Sequence, residues 1–296
     1  MVLGKKIKTF LEQKNSRSRN RAIPEFMIRP FTEEDFQYEI LDSETANGPS
    51  FVCIGAPKTG TTFLKRLLDH HPDVVPNKLG RKELHYFDHF INKPLSAKDI
   101  ATYRIAFSRK AGQSSGDFSP SYMHYPGAID RLYQAAPETK IIYIIRNPVD
   151  RTISHVNQVL NSRCKMYSFS ESQLELFFRT TILPEAIYSS MYLDKIQKSH
   201  QLFGIDNTLV IQYEKLKKDP GKMVGNILSF LGLKTFSFEH LLKKDVNRIP
   251  YKIPNEFEVN RKSLELIFRD DVKMLNEHDF IDISLWSDFY NLKNFR

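Results

Sequence analysis

The chain has 296 residues, 41 % hydrophobic and 12 % aromatic, which is long enough for a full core and excludes a disordered protein. Lysines and arginines outnumber acids by 43 to 35, a formal net charge of +8 that favours a polyanion, a membrane surface or a polyphosphate ligand without choosing among them. Two cysteines, Cys53 in an apolar run and Cys164 in a polar one, support neither a disulfide framework nor a thiolate metal site. The opening Met1-Val2-Leu3-Gly4-Lys5-Lys6 leads into no apolar h-region, and no run is long enough to span a bilayer. The expectation from these features is a soluble, cytoplasmic protein.

Residues 1–48 are polar and basic, with Lys14, Arg17, Arg19 and Arg21 in close succession, and read as a solvated or docked extension. The short stretch 7–11 also suits peripheral contact with a membrane surface. From 49 to 296 the pattern is that of one structured domain. Apolar strand-like runs at 51–54, 141–145 and 208–212 are each followed by a helical stretch, at 61–70, 150–160 and 220–231. This alternation predicts a single-domain α/β fold: a parallel sheet buried between helices on both faces. Helical spacing at 263–275 predicts a terminal helix packing across the sheet. The stretches 92–108 and 162–183 carry no motif and read as loops.

The first strand runs into Gly55-Ala56-Pro57-Lys58-Thr59-Gly60-Thr61-Thr62, which opens the helix bearing Phe63 and Leu64. Strand, glycine-bounded loop and helix form the context of a phosphate cradle, because glycines permit positive φ and free N–H groups at a helix start face an anion. An ordinary strand-to-helix turn is the plainer alternative. A nucleoside-triphosphatase loop places lysine after the second glycine, where this chain has Thr61; its lysine is Lys58, three positions into the loop. The second strand ends in Arg146 rather than in a carboxylate for Mg²⁺, which disfavours a small-molecule kinase.

Arg146-Asn147-Pro148-Val149-Asp150-Arg151 offers a second anion site. Asn147 suits an N-cap and Pro148 a first helical position, and Ser154 falls about two turns into the helix. A surface salt bridge with a helix-interior serine is the alternative reading. Two cradles at the carboxyl ends of parallel strands suit a nucleotide phosphorylated at two separate positions.

On these residues the chain resembles the sulfotransferases that use 3′-phosphoadenosine 5′-phosphosulfate (PAPS), a P-loop-type family. The 5′-phosphosulfate loop is similar to Pro57-Lys58-Thr59-Gly60-Thr61-Thr62-Phe63-Leu64, and the 3′-phosphate motif to Arg146-Asn147-Pro148-Val149-Asp150-Arg151 with Ser154. Arg81-Lys82-Glu83-Leu84-His85-Tyr86-Phe87-Asp88 resembles a segment of the carbohydrate branch, which includes heparan sulfate sulfotransferases, beside bacterial members. The resemblance implies Glu83 as catalytic base, with His85 beside it on the same side of an extended segment, and Lys58 at the bridging oxygen of the donor. Backbone and hydroxyl donors would come from Thr59, Gly60, Thr61 and Thr62, with Phe63 following them.

Weaker matches implicate Tyr213 at the adenine, a position equally suited to a core tyrosine. They also implicate Lys244, Arg248 and Lys252 in a basic loop over the 3′-phosphate, where a solvated turn is as good a reading. Gly116-Asp117-Phe118-Ser119-Pro120-Ser121-Tyr122 departs from the branch, since Asp117-Phe118 replaces Glu-Lys. The implied activity is sulfuryl transfer, without a metal, to a hydroxyl or amine of a small molecule, carbohydrate or glycolipid. Bottom-up, a carboxylate near a desolvated site can accept the acceptor's proton. A basic polyanion-binding protein is the non-enzymatic alternative, but ordered anion motifs explain the charge more economically, and no nucleic-acid partner is expected.

Overall fold

The computed structural model describes residues 29–163, 169–238, 257 and 259–294. The basic run up to Arg21, Cys164 and the stretch holding Lys244, Arg248 and Lys252 lie outside the described residues. The elements follow in order as β1 (Phe51–Gly55), α1 (Thr61–Leu68), α2 (Ala97–Ile105), β2 (Gly116–Asp117), α3 (Ala128–Ala135) and β3 (Lys140–Ile145). Then come α4 (Pro148–Arg163), α5 (Glu171–Phe177), α6 (Leu183–Tyr188), α7 (Leu193–Phe203), β4 (Thr208–Gln212), α8 (Tyr213–Lys218), α9 (Pro220–Leu231) and α10 (Arg261–Glu277). Contacts group the described residues into two compact units: a sheet unit within Pro24–Arg146 and Tyr192–Val246, and a helical unit within Asn147–Met191 and Asn247–Arg296.

The sheet unit has the expected α/β architecture. Its four strands run in the order β2-β1-β3-β4, all parallel. The sequence Lys140-Ile141-Ile142-Tyr143-Ile144-Ile145 forms a central strand because β-branched side chains suit a pleat covered on both sides. Ile142 and Ile144 pack with Leu64, Leu67 and Leu68 of α1 and with Ile227 and Leu228 of α9. Tyr143 points the other way, as the two-residue period requires, and its hydroxyl donates to the Lys195 carbonyl of α7 at 2.8 Å while meeting Ser199 Oγ at 2.8 Å. The two-residue strand β2 was not foreseen; Gly116 is admitted there because the Phe51 ring occupies the space of a side chain.

Residues 29–48, read as part of the extension, pack on this unit. Phe31 is buried with its ring 4.5 Å from Tyr86. Lys78, itself buried, pairs with Glu44 at 2.6 Å and donates to the Glu39 carbonyl at 2.9 Å.

In the helical unit, Asn147 Oδ1 accepts from the amides of Val149 (3.0 Å) and Asp150 (3.4 Å), so the cap expected before Pro148 is formed. The terminal helix is present as α10, but it buries its stripe within the helical unit, against α4 and the 3₁₀ turns of Ser287–Asn294. Apolar spacing fixes that a helix has a buried stripe, not which surface receives it; here Arg261 joins Asp150 (2.9 Å) and Asp288 (2.7 Å). The two stretches read as loops contain helices, α2 and α5. Each starts at a reciprocal cap, Ser96 with Asp99 and Ser170 with Gln173.

Replacing Gly116 with alanine sets a β-carbon 2.2 Å from the Phe51 ring, which is fully buried and edge-on to Phe118. Overpacking of this kind costs about 1–3 kcal/mol. Chemical denaturation of Gly116→Ala is expected to show a loss in that range, whereas wild-type stability would contradict the packing of β2 on β1.

Candidate active site

In the sheet unit, the carboxyl ends of β1, β3 and β4 bring three segments together. The Ala56 amide donates to the Ile144 carbonyl at 2.8 Å, carrying the β1–β3 ladder one residue into the loop. Thr59 is buried, and its hydroxyl closes the loop on the Ala56 carbonyl at 2.6 Å. Lys58 and Gly60 both take left-handed backbone, with φ of 71° and 95°. Glycine is needed at 60 for a second reason, since a β-carbon there would press on the Tyr213 ring at 3.3 Å. Arg146, leaving β3, lies with its guanidinium 5.2 Å from the Tyr213 ring centre and one nitrogen 3.4 Å from the Lys58 carbonyl. Its own carbonyl receives the Tyr192 hydroxyl at 2.8 Å.

Lys58, Thr59, Gly60, Arg146 and Tyr213 are therefore neighbours. The Phe63 and Leu64 amides both bond the Gly60 carbonyl, at 2.9 and 3.1 Å, so the amides before them lie ahead of the helix's own carbonyls, where the helix dipole favours negative charge. Thr61 is buried and Thr62 exposed. Phe63 packs against the hydrophobic core with Arg66 over its ring at 5.5 Å. Ser154 sits half-buried on α4 of the helical unit. Loop backbone, Lys58, Arg146 and a tyrosine face make a donor set suited to a nucleotide with anionic groups.

Glu83 and His85 meet, but not through an extended segment. His85 is left-handed (φ 53°), and this turn brings its Nε2 to 3.1 Å from Glu83 Oε2. Its Nδ1 lies 2.8 Å from Asp88 Oδ2 and 3.0 Å from Ser121 Oγ. The other Glu83 oxygen pairs with Lys82. Burial would push the Glu83 carboxyl up, but hydrogen bonds from His85 and Lys82 outweigh it and hold the group below its ordinary value. For His85, burial acts to lower the pKa, and hydrogen bonds to Asp88 and Glu83 overcome it, raising the imidazole to about 9. At neutral pH the site holds a carboxylate clamped between two cations. Sequence reasoning missed Lys82, Asp88 and Ser121 as members of this network; the polar alternation Ser119-Pro120-Ser121 was the available signal. Cys53, buried in β1, has its thiol pushed up to about 12 by burial and is inert.

Parallel strands with a glycine-bounded loop at their carboxyl ends place the sheet unit in the α/β class. A model of the sulfotransferase domain matches residues 49–279, and the chain belongs to the sulfotransferase family. It is 33 % identical over 192 residues to heparan sulfate glucosamine 3-O-sulfotransferase 6 of Homo sapiens, covering 63 % of this chain and 53 % of the relative. The chain thus spans about half the length of the curated relatives it matches. A crystal structure of a sulfotransferase from Alicyclobacillus acidocaldarius shares the fold at 24 % identity and a TM-score of 0.59, covering 80 % of this chain and 98 % of that one.

A membrane-associated sulfotransferase of Dictyostelium discoideum, kil1, is 32 % identical over 108 residues, 36 % of this chain and 22 % of the relative. Together with the heparan sulfate enzymes it overturns the cytoplasmic placement expected from composition. Cysteine content and the polarity of the first residues report on local chemistry, not on compartment. Among the described residues, no helix is long and apolar enough to cross a membrane.

The folded His85 pKa of about 9 stands above the ordinary 6.5, so its stabilising contribution is complete below pH 6.5 and is lost as pH rises through about 9. Calorimetric unfolding temperatures are expected to fall across that window in the wild type and to fall less in His85→Gln. Equal slopes in the two proteins would contradict the ion-paired imidazolium.

Proposed function

We propose that the protein transfers a sulfuryl group from PAPS to an acceptor hydroxyl, of a carbohydrate or glycolipid in the first instance and an amine in the second, with Glu83 as general base. The donor supplies an activated sulfuryl group, attached through a bridging oxygen to the 5′-phosphate of a nucleotide that also carries a 3′-phosphate. Lys58 neutralises charge gathering on the bridging oxygen, and amides of Gly60, Thr61 and Thr62 hold the adjoining phosphate with help from the threonine hydroxyls. Arg146 takes the second phosphate as a fork of donors, and Tyr213 offers a ring face to the base.

The observation that carries the reading is the Glu83–His85 contact at 3.1 Å. A carboxylate kept ionised at neutral pH has an open acceptor capacity for the hydroxyl proton. His85, held as an imidazolium, has no free lone pair; it orients Glu83 and balances its charge instead of removing the proton itself. Phe118 is 2 % exposed and packs edge-on to Phe51, so this position turns no cation toward an acceptor. That favours an acceptor less heavily sulfated than heparan sulfate.

Glu83→Gln is expected to abolish transfer of radiolabelled sulfate while leaving the affinity for 3′,5′-bisphosphoadenosine unchanged. An acceptor screen of simple glycans, lipids and phenols supplies the assay. Near-normal turnover in this variant would refute the base assignment. Lys58→Ala is expected to raise the barrier by about 3 kcal/mol, and a smaller effect than tenfold on kcat would move the stabilising cation elsewhere. Calorimetry is expected to show 3′,5′-bisphosphoadenosine bound far more tightly than ATP without Mg²⁺; the reverse order would favour a kinase.

A further inference from the structure

Glu83, Leu84 and His85 belong to no helix or strand, so their backbone must be held by something other than a ladder. The amides of Leu84 and His85 both donate to Ser119 Oγ, at 2.9 and 3.1 Å, and the Tyr86 amide donates to the Tyr122 hydroxyl oxygen at 3.0 Å. Three consecutive amides are thus received by two hydroxyls. A hydroxyl has one proton to give, and once its lone pairs are taken by amides that proton needs a separate acceptor. Ser119 gives its proton to Asp117 Oδ1 at 2.6 Å. The Tyr122 hydroxyl also hydrogen-bonds this carboxyl group, and the Tyr103 hydroxyl donates to Oδ2 at 3.1 Å.

Asp117 is fully buried in β2, opposite Val52 of β1. A carboxylate in that position, bonded by hydroxyls and, among the described residues, by no guanidinium or ammonium group, is costly compared with the apolar residues that fill the neighbouring strands. Its one useful property there is that an ionised carboxyl only accepts. It draws the hydroxyl protons of Ser119 and Tyr122 inward and leaves their lone pairs to face the amides of residues 84 to 86.

We propose that Asp117 is a positioning residue for the catalytic turn: through the hydroxyls of Ser119 and Tyr122 it fixes the backbone of Leu84, His85 and Tyr86, and so sets the left-handed conformation that joins His85 to Glu83. The inference rests on the reading of Glu83 as the base, but it concerns a group that never touches substrate. Burial raises the Asp117 carboxyl to about 6, against the lowering effect of Ser119, Tyr122 and Tyr103, which leaves it mostly ionised at neutral pH. Among the described residues, the charged and titratable groups facing His85 include Glu83 and Asp88 through hydrogen bonds and Asp117 through space.

The test is a histidine titration by NMR on the full-length protein, with 3′,5′-bisphosphoadenosine as the binding probe. In Ser119→Ala the carboxylate charge is kept and the amide acceptor is lost; the His85 midpoint is expected to fall by at least one pH unit. Asp117→Ala is expected to do the same and to lower kcat at least tenfold, with nucleotide affinity changed less than twofold. Asp117→Asn retains an oxygen for Ser119 but sets an N–H₂ donor where the carboxylate accepted from Tyr103, and is expected to recover kcat above the alanine variant but short of wild type. An unmoved His85 midpoint in Ser119→Ala overturns the proposal, as does an Asn variant no better than alanine. Should Asp117→Ala fail to fold, Ser119→Ala and Asp117→Asn decide alone. Unimpaired turnover in Glu83→Gln would remove the base assignment, while the His85 titration would still report on the positioning.

Discussion

The chemistry of this protein depends on the parallel register of its short sheet. β1 pairs with both β2 and β3, from Phe51 to Gly116 on one side and to Lys140 on the other, so the segments leaving these strands emerge at one edge. The loop bearing Lys58 leaves β1, the turn bearing Ser119 and Ser121 leaves β2, Arg146 follows β3, and Tyr213 follows β4. Met123 closes this arrangement, its amide bonded to the Ile54 carbonyl at 3.0 Å and its side chain filling the space beside Gly55. None of these residues would converge in an antiparallel sheet, where successive strand ends alternate between edges.

Two kinds of constraint then act on the site. Left-handed backbone at Lys58, Gly60 and His85 turns the chain where an extended path would carry the functional groups apart. Burial then makes charge pairing decisive. Glu83 between Lys82 and His85, and His85 between Glu83 and Asp88, form a chain of alternating charge that holds Glu83 and His85 ionised. Pairing with Asp88 and Glu83, which overcomes the lowering effect of burial, makes His85 a fixed cation. An imidazole bonded on both nitrogens to carboxylates gives up its proton reluctantly.

Much of this was legible in the amino-acid sequence. The run 208–212 and the helix at 220–231 coincide with the structure, because each is bounded by turn residues and has an unmixed apolar pattern. The glycine-bounded loop and Arg146 were legible for the same local reason. What escaped reading depends on partners far along the chain. β2 is two residues long and exists only because Phe51 and Val52 pair with it. Phe31 is one of several aromatics in its stretch, unmarked as a core residue until Tyr86 provides its partner, and Lys78 is one lysine among many until Glu44 closes on it. Glu83 and His85 are expected on one side of an extended segment; the turn that brings them into contact is not legible, since nothing in the local residues announces left-handed backbone at a histidine. The reciprocal caps at Ser96 and Ser170, by contrast, were readable signals of α2 and α5.

The net charge of +8 is partly accounted for by Lys58 and Arg146 in an anion-suited edge, while the basic run up to Arg21 lies outside the described residues. The central claim is that one strand edge binds the nucleotide and presents the base. A crystal structure with 3′,5′-bisphosphoadenosine tests it most directly. The account expects the 5′-phosphate on the amides following Lys58, with Glu83 facing the same opening. A nucleotide seated away from that loop, or a 5′-phosphate turned from Glu83, would contradict it.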